Sequence, residues 1–248
     1  MRGRWRCGRL ALGSAAVMLG MMAPAYPQSS DSESQMAMPF GDPMGSPQIF
    51  SHATLDQFEE RIGDGHDGLR WDGEAWAGSD SNRLWFKSEG FAGGGQVTDG
   101  QHELLYARPA SAFFDLQAGV RYDLDSLAGR GWLALGAEGL AAYGLKVSAS
   151  LYASDAGHFA ARATAAFDAL LTQRLILQPQ VELNAYTRTD GARQQAAGLS
   201  SIDAGLRLRY EIRRKFAPYL GAAYTRNAFL AGTNAGQLRF VLGLRAWL

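Results

Sequence analysis

Residues 237–248 read Gln-Leu-Arg-Phe-Val-Leu-Gly-Leu-Arg-Ala-Trp-Leu. In an extended chain successive side chains point to opposite faces. Leu238, Phe240, Leu242, Leu244, Ala246 and Leu248 therefore share one face, and Arg239, Arg245 and Trp247 the other. The same period of two recurs upstream. In Phe114–Tyr122, Phe114, Leu116, Ala118, Val120 and Tyr122 oppose Asp115, Gln117, Gly119 and Arg121. In Ile202–Ile212, Ala204, Leu206, Leu208 and Tyr210 oppose Asp203, Arg207, Arg209 and Glu211. In Arg174–Tyr186, Leu175, Leu177, Val181 and Leu183 oppose Arg174, Gln178, Gln180, Glu182 and Asn184. Alternation sustained over this length predicts strands rather than helices.

Twelve such segments can be marked: 49–60, 68–78, 82–91, 102–108, 112–122, 131–140, 143–153, 158–169, 173–187, 202–212, 216–227 and 237–248. Most approach the roughly 9–11 residues that a tilted membrane strand needs, against about 5–6 in soluble sheets. Their polar faces carry charges of both signs, which suits a wet lumen. With the first strand starting in the periplasm, the longer gaps fall outside (Arg61–Asp67, Ala92–Gln101, Asp123–Arg130, Ser154–Gly157, Arg188–Ser201 and Ala228–Gly236). The tight gaps fall on the periplasmic side (Ser79–Ser81, Pro109–Ser111, Ala141–Ala142, Leu170–Thr172 and Arg213–Lys215). A half-buried soluble sheet shares the alternation, but nothing in it calls for alternating gap lengths. The expected fold is all-β: a transmembrane antiparallel up-and-down β-barrel of twelve strands over residues 48–248, closed by pairing of Gln237–Leu248 with Ile49–Glu60. Trp132, Tyr210 and Tyr219 sit near strand ends and are candidates for the interfacial aromatic girdle.

The region before residue 48 differs. Arg2, Arg4, Arg6 and Arg9 precede the apolar stretch Leu10–Met22, and Ala23-Pro24-Ala25 supplies a small-x-small pattern. Residues 1–25 read as a cleaved signal peptide, too short in its apolar part to span a bilayer. Cys7, the one cysteine, leaves with it, so no disulfide or thiolate site is expected afterwards. Residues 26–47 are rich in Ser, Pro, Gln and Met without periodic hydrophobicity and read as a disordered periplasmic tail. Gly131–Lys146, the most apolar later stretch, is broken by Glu138 and Lys146, so a membrane crossing must use strands. Lys and Arg together number 24, equal to Asp and Glu, and the longest basic run is Arg213-Arg214-Lys215. No nucleic-acid footprint results.

Several stretches carry a resemblance: LRWDGEAWAGSDSNRLWFKSEG (Leu69–Gly90), FFDLQAGVRYDL (Phe113–Leu124), LLTQRLILQPQVELNAY (Leu170–Tyr186), LSSIDAGLRLRYEIRRKFAPYLG (Leu199–Gly221) and RFVLGLRAW (Arg239–Trp247). From about Phe50 onward the chain resembles the copper resistance protein B family of outer-membrane proteins. The resemblance implies a barrel in the outer membrane of a Gram-negative bacterium, in contact with its lipid. It also implies a role in copper resistance or homeostasis with copper ions as ligand or cargo, no organic cofactor, and a periplasmic multicopper oxidase as partner. Members often carry a long N-terminal region crowded with Met and His, whereas this tail holds Met36, Met38 and Met44. Members usually end in an aromatic residue; this chain ends Trp247-Leu248.

Copper(I) prefers thioether and imidazole ligands, and imidazole also suits copper(II). Met36, Met38 and Met44 are the thioethers after residue 25. They are candidate copper ligands on the periplasmic side, with an incidental-methionine linker as the bland reading. His52, at the start of the first strand, is the first imidazole candidate. His66, between Asp64 and Asp67, is a second, with a solvated turn as its alternative. His102 and His158 open later strands. Asp72, Glu74, Lys87, Glu89, Glu182, Arg207, Arg209 and Glu211 form a charged constellation on the wall. Asp56 and Glu59 join it, but alternation leaves their face open. This set is either a packing of ion pairs that fills the barrel or a polar path for cations. No G-x-S-x-G, phosphate-loop, dinucleotide or paired-His motif occurs, so an enzyme is not expected. The reading is a barrel that binds or conducts copper; the competing class is a structural or general-diffusion barrel.

Overall fold

A computed structural model describes residues 49–63, 67–124, 129–213, 215–228 and 236–248. The expected signal peptide and tail, with Met36, Met38, Met44 and His66, lie outside the described residues. Ile49–Leu248 forms one compact unit. Its strands are β1 (Phe50–Gly63), β2 (Gly68–Gly78), β3 (Arg83–Gly93), β4 (Gln96–Pro109), β5 (Phe114–Asp123), β6 (Arg130–Leu140), β7 (Lys146–Ser154), β8 (Phe159–Ala166), β9 (Ala169–Leu170), β10 (Leu175–Tyr186), β11 (Gly198–Tyr210), β12 (Phe216–Asn227) and β13 (Gly236–Trp247). Each pairs antiparallel with its neighbour in sequence, apart from the short β9, which like β8 lies against β10. β13 returns to β1 through pairs running from Thr54↔Trp247 to Gly63↔Arg239, so the sheet is a closed barrel.

β8 and β9 are one wall strand. Ala166↔Gln180 and Ala169↔Leu177 lie in the same register, which sets Phe167 opposite Pro179. The Phe167 N–H donates to the Pro179 carbonyl at 3.1 Å, but proline has no N–H to return, and the ladder breaks there for two residues. The wall thus has the twelve antiparallel strands that the alternation predicts.

The faces also follow the alternation. Phe240 and Leu242 point outward, whereas Val241 between them is covered. The interior is polar: Gln57, Glu59, Arg61, Arg121, Glu182, Arg207 and Arg209 are all buried. An apolar exterior around a charged interior inverts a soluble protein and matches a barrel in hydrocarbon. β1 contains an irregularity between Leu55 and Phe58 in its pairing with β13. A bulge opposes two residues to one and so changes the parity of the strand. Asp56, the residue skipped in the β1–β2 register, reaches Arg245, and Gln57, Glu59 and Arg61 face inward after it, which settles the face that alternation left open.

Two expectations need correction. Ala92–Gln101 is not a loop. β3 and β4 run on to a two-residue turn, Gly94-Gly95, with φ of 62° and 82°. Glycine enters this left-handed region freely, and two such residues make the tight hairpin turn whose twist matches the strands. The polar run after it reads as a loop, yet it is strand, with Gln101 buried. The girdle assignment also fails for two residues. Trp132 is 3% exposed, with its indole N–H donating to Asp123 at 2.8 Å. Tyr219 is buried with its hydroxyl donating to Glu59 at 2.9 Å. Both lie on the inward parity of their strands, where a buried polar tip needs a partner. Tyr210 is exposed on the outer face.

Candidate functional site: the charged lumen

Wherever the wall alternates, every second side chain enters the lumen, so the site is built from strands rather than loops. Glu59 on β1 is fully buried. Its carboxylate accepts from Arg207 Nε (2.8 Å) and Nη2 (2.9 Å), from Arg61 Nε (2.9 Å) and from Tyr219. Arg207 also donates to Gln57 at 3.0 Å and Gln180 at 3.1 Å. Arg61 forks onto Asp203 at 2.7 and 3.3 Å, where the Thr225 hydroxyl donates at 2.6 Å. Such forked guanidinium–carboxylate pairs are among the stronger hydrogen bonds.

Two further arginines cross the lumen. Arg70 on β2 donates to Glu182 on β10 at 3.0 Å, and Arg162 on β8 donates to Glu89 on β3 and to Asn184 at 2.9 Å. Beside them lies a less polar filling that includes Trp85, Leu105, Trp132 and Tyr152. Arg121 lies 4.6 Å over the Tyr152 ring, and Tyr152 donates to Glu103 at 2.8 Å. Toward the end of the barrel that carries Phe50 and Trp247, Arg245 pairs with Asp56 at 2.7 Å and Lys87 with Glu138. At the opposite mouth Arg130 donates to Asp190 at 2.7 Å. Burial alone would raise the Asp190 carboxyl, but the bond from Arg130, with Arg193 beside it, outweighs this and holds it below its ordinary value.

The sequence-based candidates divide. Lys87, Glu89, Glu182 and Arg207 face inward and are partnered, and Arg209 lies 3.6 Å from Asp168 and 4.0 Å from Glu211. Asp72 and Glu74 share the inner face of β2, opposite Glu89 and Lys87. Neither makes a hydrogen bond or ion pair among the described residues. His52 bonds Thr54 Oγ1 at 2.8 Å, with its ring 6.4 Å from Trp76. His102 lies on the outer face, stacked on Phe86 at 6.5 Å. It is opposite Ser88, whose hydroxyl accepts from the Trp71 indole at 3.2 Å. His158 sits in the β7–β8 turn. The structure does not bring these imidazoles together, and among the described residues no three His, Cys, Asp or Glu side chains gather around one point. Sequence reasoning passed over Arg61, Arg70, Arg162 and Asp203 as site residues. Their signal is parity: Arg162, for instance, stands alone among the alanines of β8.

Residues 49–248 match the family model described as copper resistance protein B precursor. The chain belongs to the copper resistance protein B family. It is 38% identical over 200 residues to copper resistance protein B of Escherichia coli, covering 78% of this chain and 68% of that one. It is 38% identical over 206 residues to the copper resistance protein B homolog of Pseudomonas syringae pv. tomato, covering 80% and 70%. Among solved structures, the NanC porin superposes with a TM-score of 0.53 at 11% identity, over 78% of this chain and 98% of that one. At that identity the likeness speaks for the fold alone. Family and fold together place this copper resistance protein B relative in the Gram-negative outer membrane.

Proposed function

We propose that the barrel binds or conducts copper ions in copper resistance or homeostasis, without an enzymatic step. The observation that carries the reading is membership of the copper resistance protein B family by a chain whose barrel interior is charged. Met36, Met38 and Met44 supply thioethers suited to copper(I), and His52 and His66 supply imidazole. Asp72 and Glu74, on the lumen face without a hydrogen bond or ion pair among the described residues, offer oxygen contacts to a passing cation. A periplasmic multicopper oxidase is the partner in this reading. Copper flux into liposomes carrying the purified protein, set against an unrelated small solute, is the test. Copper-selective flux, or copper(I) binding that falls at least about tenfold when the three methionines become leucine, is expected. Equal passage of unrelated solutes together with unchanged copper affinity would overturn the reading.

The packed ion pairs around Glu59 favour a second reading, a structural barrel whose interior is filled. It predicts neither copper binding nor solute passage, so the same experiment separates the two.

A further inference from the structure

In the ring of wall strands, four strands separate β3 from β8 on one side and six on the other, and the same holds for β2 and β10. The Arg162–Glu89 and Arg70–Glu182 pairs therefore run across the lumen rather than along its wall. They also interlock. Arg70 is 3.9 Å from Glu89, and Arg162 is 3.7 Å from Glu182. Asp72 stands opposite Glu89 in the β2–β3 register and makes no hydrogen bond or ion pair among the described residues. The result is a belt of three carboxylates around two guanidiniums.

We propose that this belt is a cation-selective constriction held shut by its own arginines. Rings of carboxylates select cations in channels. Here each guanidinium sits between carboxylates where a small hydrated cation would have to pass, as a counter-ion tethered to the wall. A guanidinium keeps its charge at any accessible pH and its planar fork fixes it against the carboxylates, so thermal motion alone seldom clears the path. Removing one arginine leaves at least two negative charges facing a space that water fills. That space admits cations and repels anions. The belt has no soft ligand, so the proposal does not depend on copper and can hold or fail separately from it.

The test is conductance in planar lipid bilayers under a KCl gradient, comparing the parent with Arg162→Gln and Arg70→Gln. Folding of each is checked by the heat-dependent shift of the barrel band on gels. The parent is expected to conduct weakly. Either variant should raise conductance by about threefold or more, with a reversal potential on the cation side. Adding Glu89→Gln to Arg162→Gln should keep the larger conductance and weaken the cation preference. Because the arginines lie on different strands, Arg70→Gln carries the same expectation if Arg162→Gln fails to assemble. Conductance equal to the parent in a folded variant, or a reversal potential on the anion side, would overturn the proposal.

Discussion

Glu59 accepts hydrogen bonds from two guanidiniums and a phenol in a place water does not reach, its side chain 0% exposed and that of Arg207 2%. Breaking a buried pair from one side leaves the other charge uncompensated, which costs more than the pair itself contributes. Glu59→Gln keeps the shape but leaves Arg207 and Arg61 facing a neutral amide. Its unfolding midpoint in urea, measured in lipid vesicles, should drop by the equivalent of roughly 3–5 kcal/mol. Asp80→Asn, on a bend between β2 and β3, should stay within about 0.5 kcal/mol of the parent. A Glu59→Gln barrel as stable as the parent would mean that the cluster is not a keystone of the interior. The position was only half legible in the sequence. That Glu59 is charged is plain, but its face depends on a bulge at Leu55–Phe58 that no residue pattern announces. Trp132 and Tyr219 show the same limit. An aromatic near a strand end suits a girdle or a packed interior equally, and one step of parity decides between them.

Among the elements, β13 was the most legible, because its apolar face is uninterrupted from Leu238 to Leu248. Leu242 is 63% exposed on the outer face, with Val241 turned inward at 3%. Arginine at a lipid-facing position near mid-membrane costs roughly 2–4 kcal/mol. Leu242→Arg should therefore lose that much in vesicle unfolding, and a variant that melts with the parent would contradict the facing. The β3–β4 hairpin was the least legible element. Gly93-Gly94-Gly95 followed by Gln96, Thr98 and Asp99 has the composition of a loop, yet the turn is Gly94-Gly95 alone and the residues on either side of it are strand. The β10–β11 connection did prove long, spanning residues 187–197, and Asp190 ties it to Arg130. Since Asp190 titrates below its ordinary value, this anchor is present above the normal carboxylate range of about 3.9 and is lost as pH falls through the lowered value. Hydrogen-exchange protection of residues 187–197, taken relative to the intrinsic exchange rate at each pH, should thus be high at neutral pH and fall under strong acid, while Asp190→Asn should show low protection at both. A pH-independent loop in the parent would remove Asp190 as its anchor.

At the scale of the whole molecule, alternation in separate segments sufficed to predict a closed ring, because a sheet in lipid cannot keep an edge: each unpaired backbone group there costs several kcal/mol. The copper link, by contrast, is carried by the family and by candidate ligands spread between the lumen and residues outside the description. No local pattern states it, since a soft-metal site needs only a few ligands and these need not be close in sequence. Closure itself can be tested by deleting residues 236–248, which removes β13 and leaves β12 and β1 as neighbours across the gap. In an up-and-down barrel strand direction alternates, so β1 and β12, both antiparallel to β13, run the same way. They can re-close the wall only as a parallel pair, against the antiparallel ladder that the rest of the wall uses and the even strand count of such barrels. The truncated chain should show no heat-shifted folded band in vesicles, even with every lumen contact among β2–β11 intact. If it does fold and shift, the pairing of β1 with β13 is not what completes the barrel, and the wall can close on eleven strands.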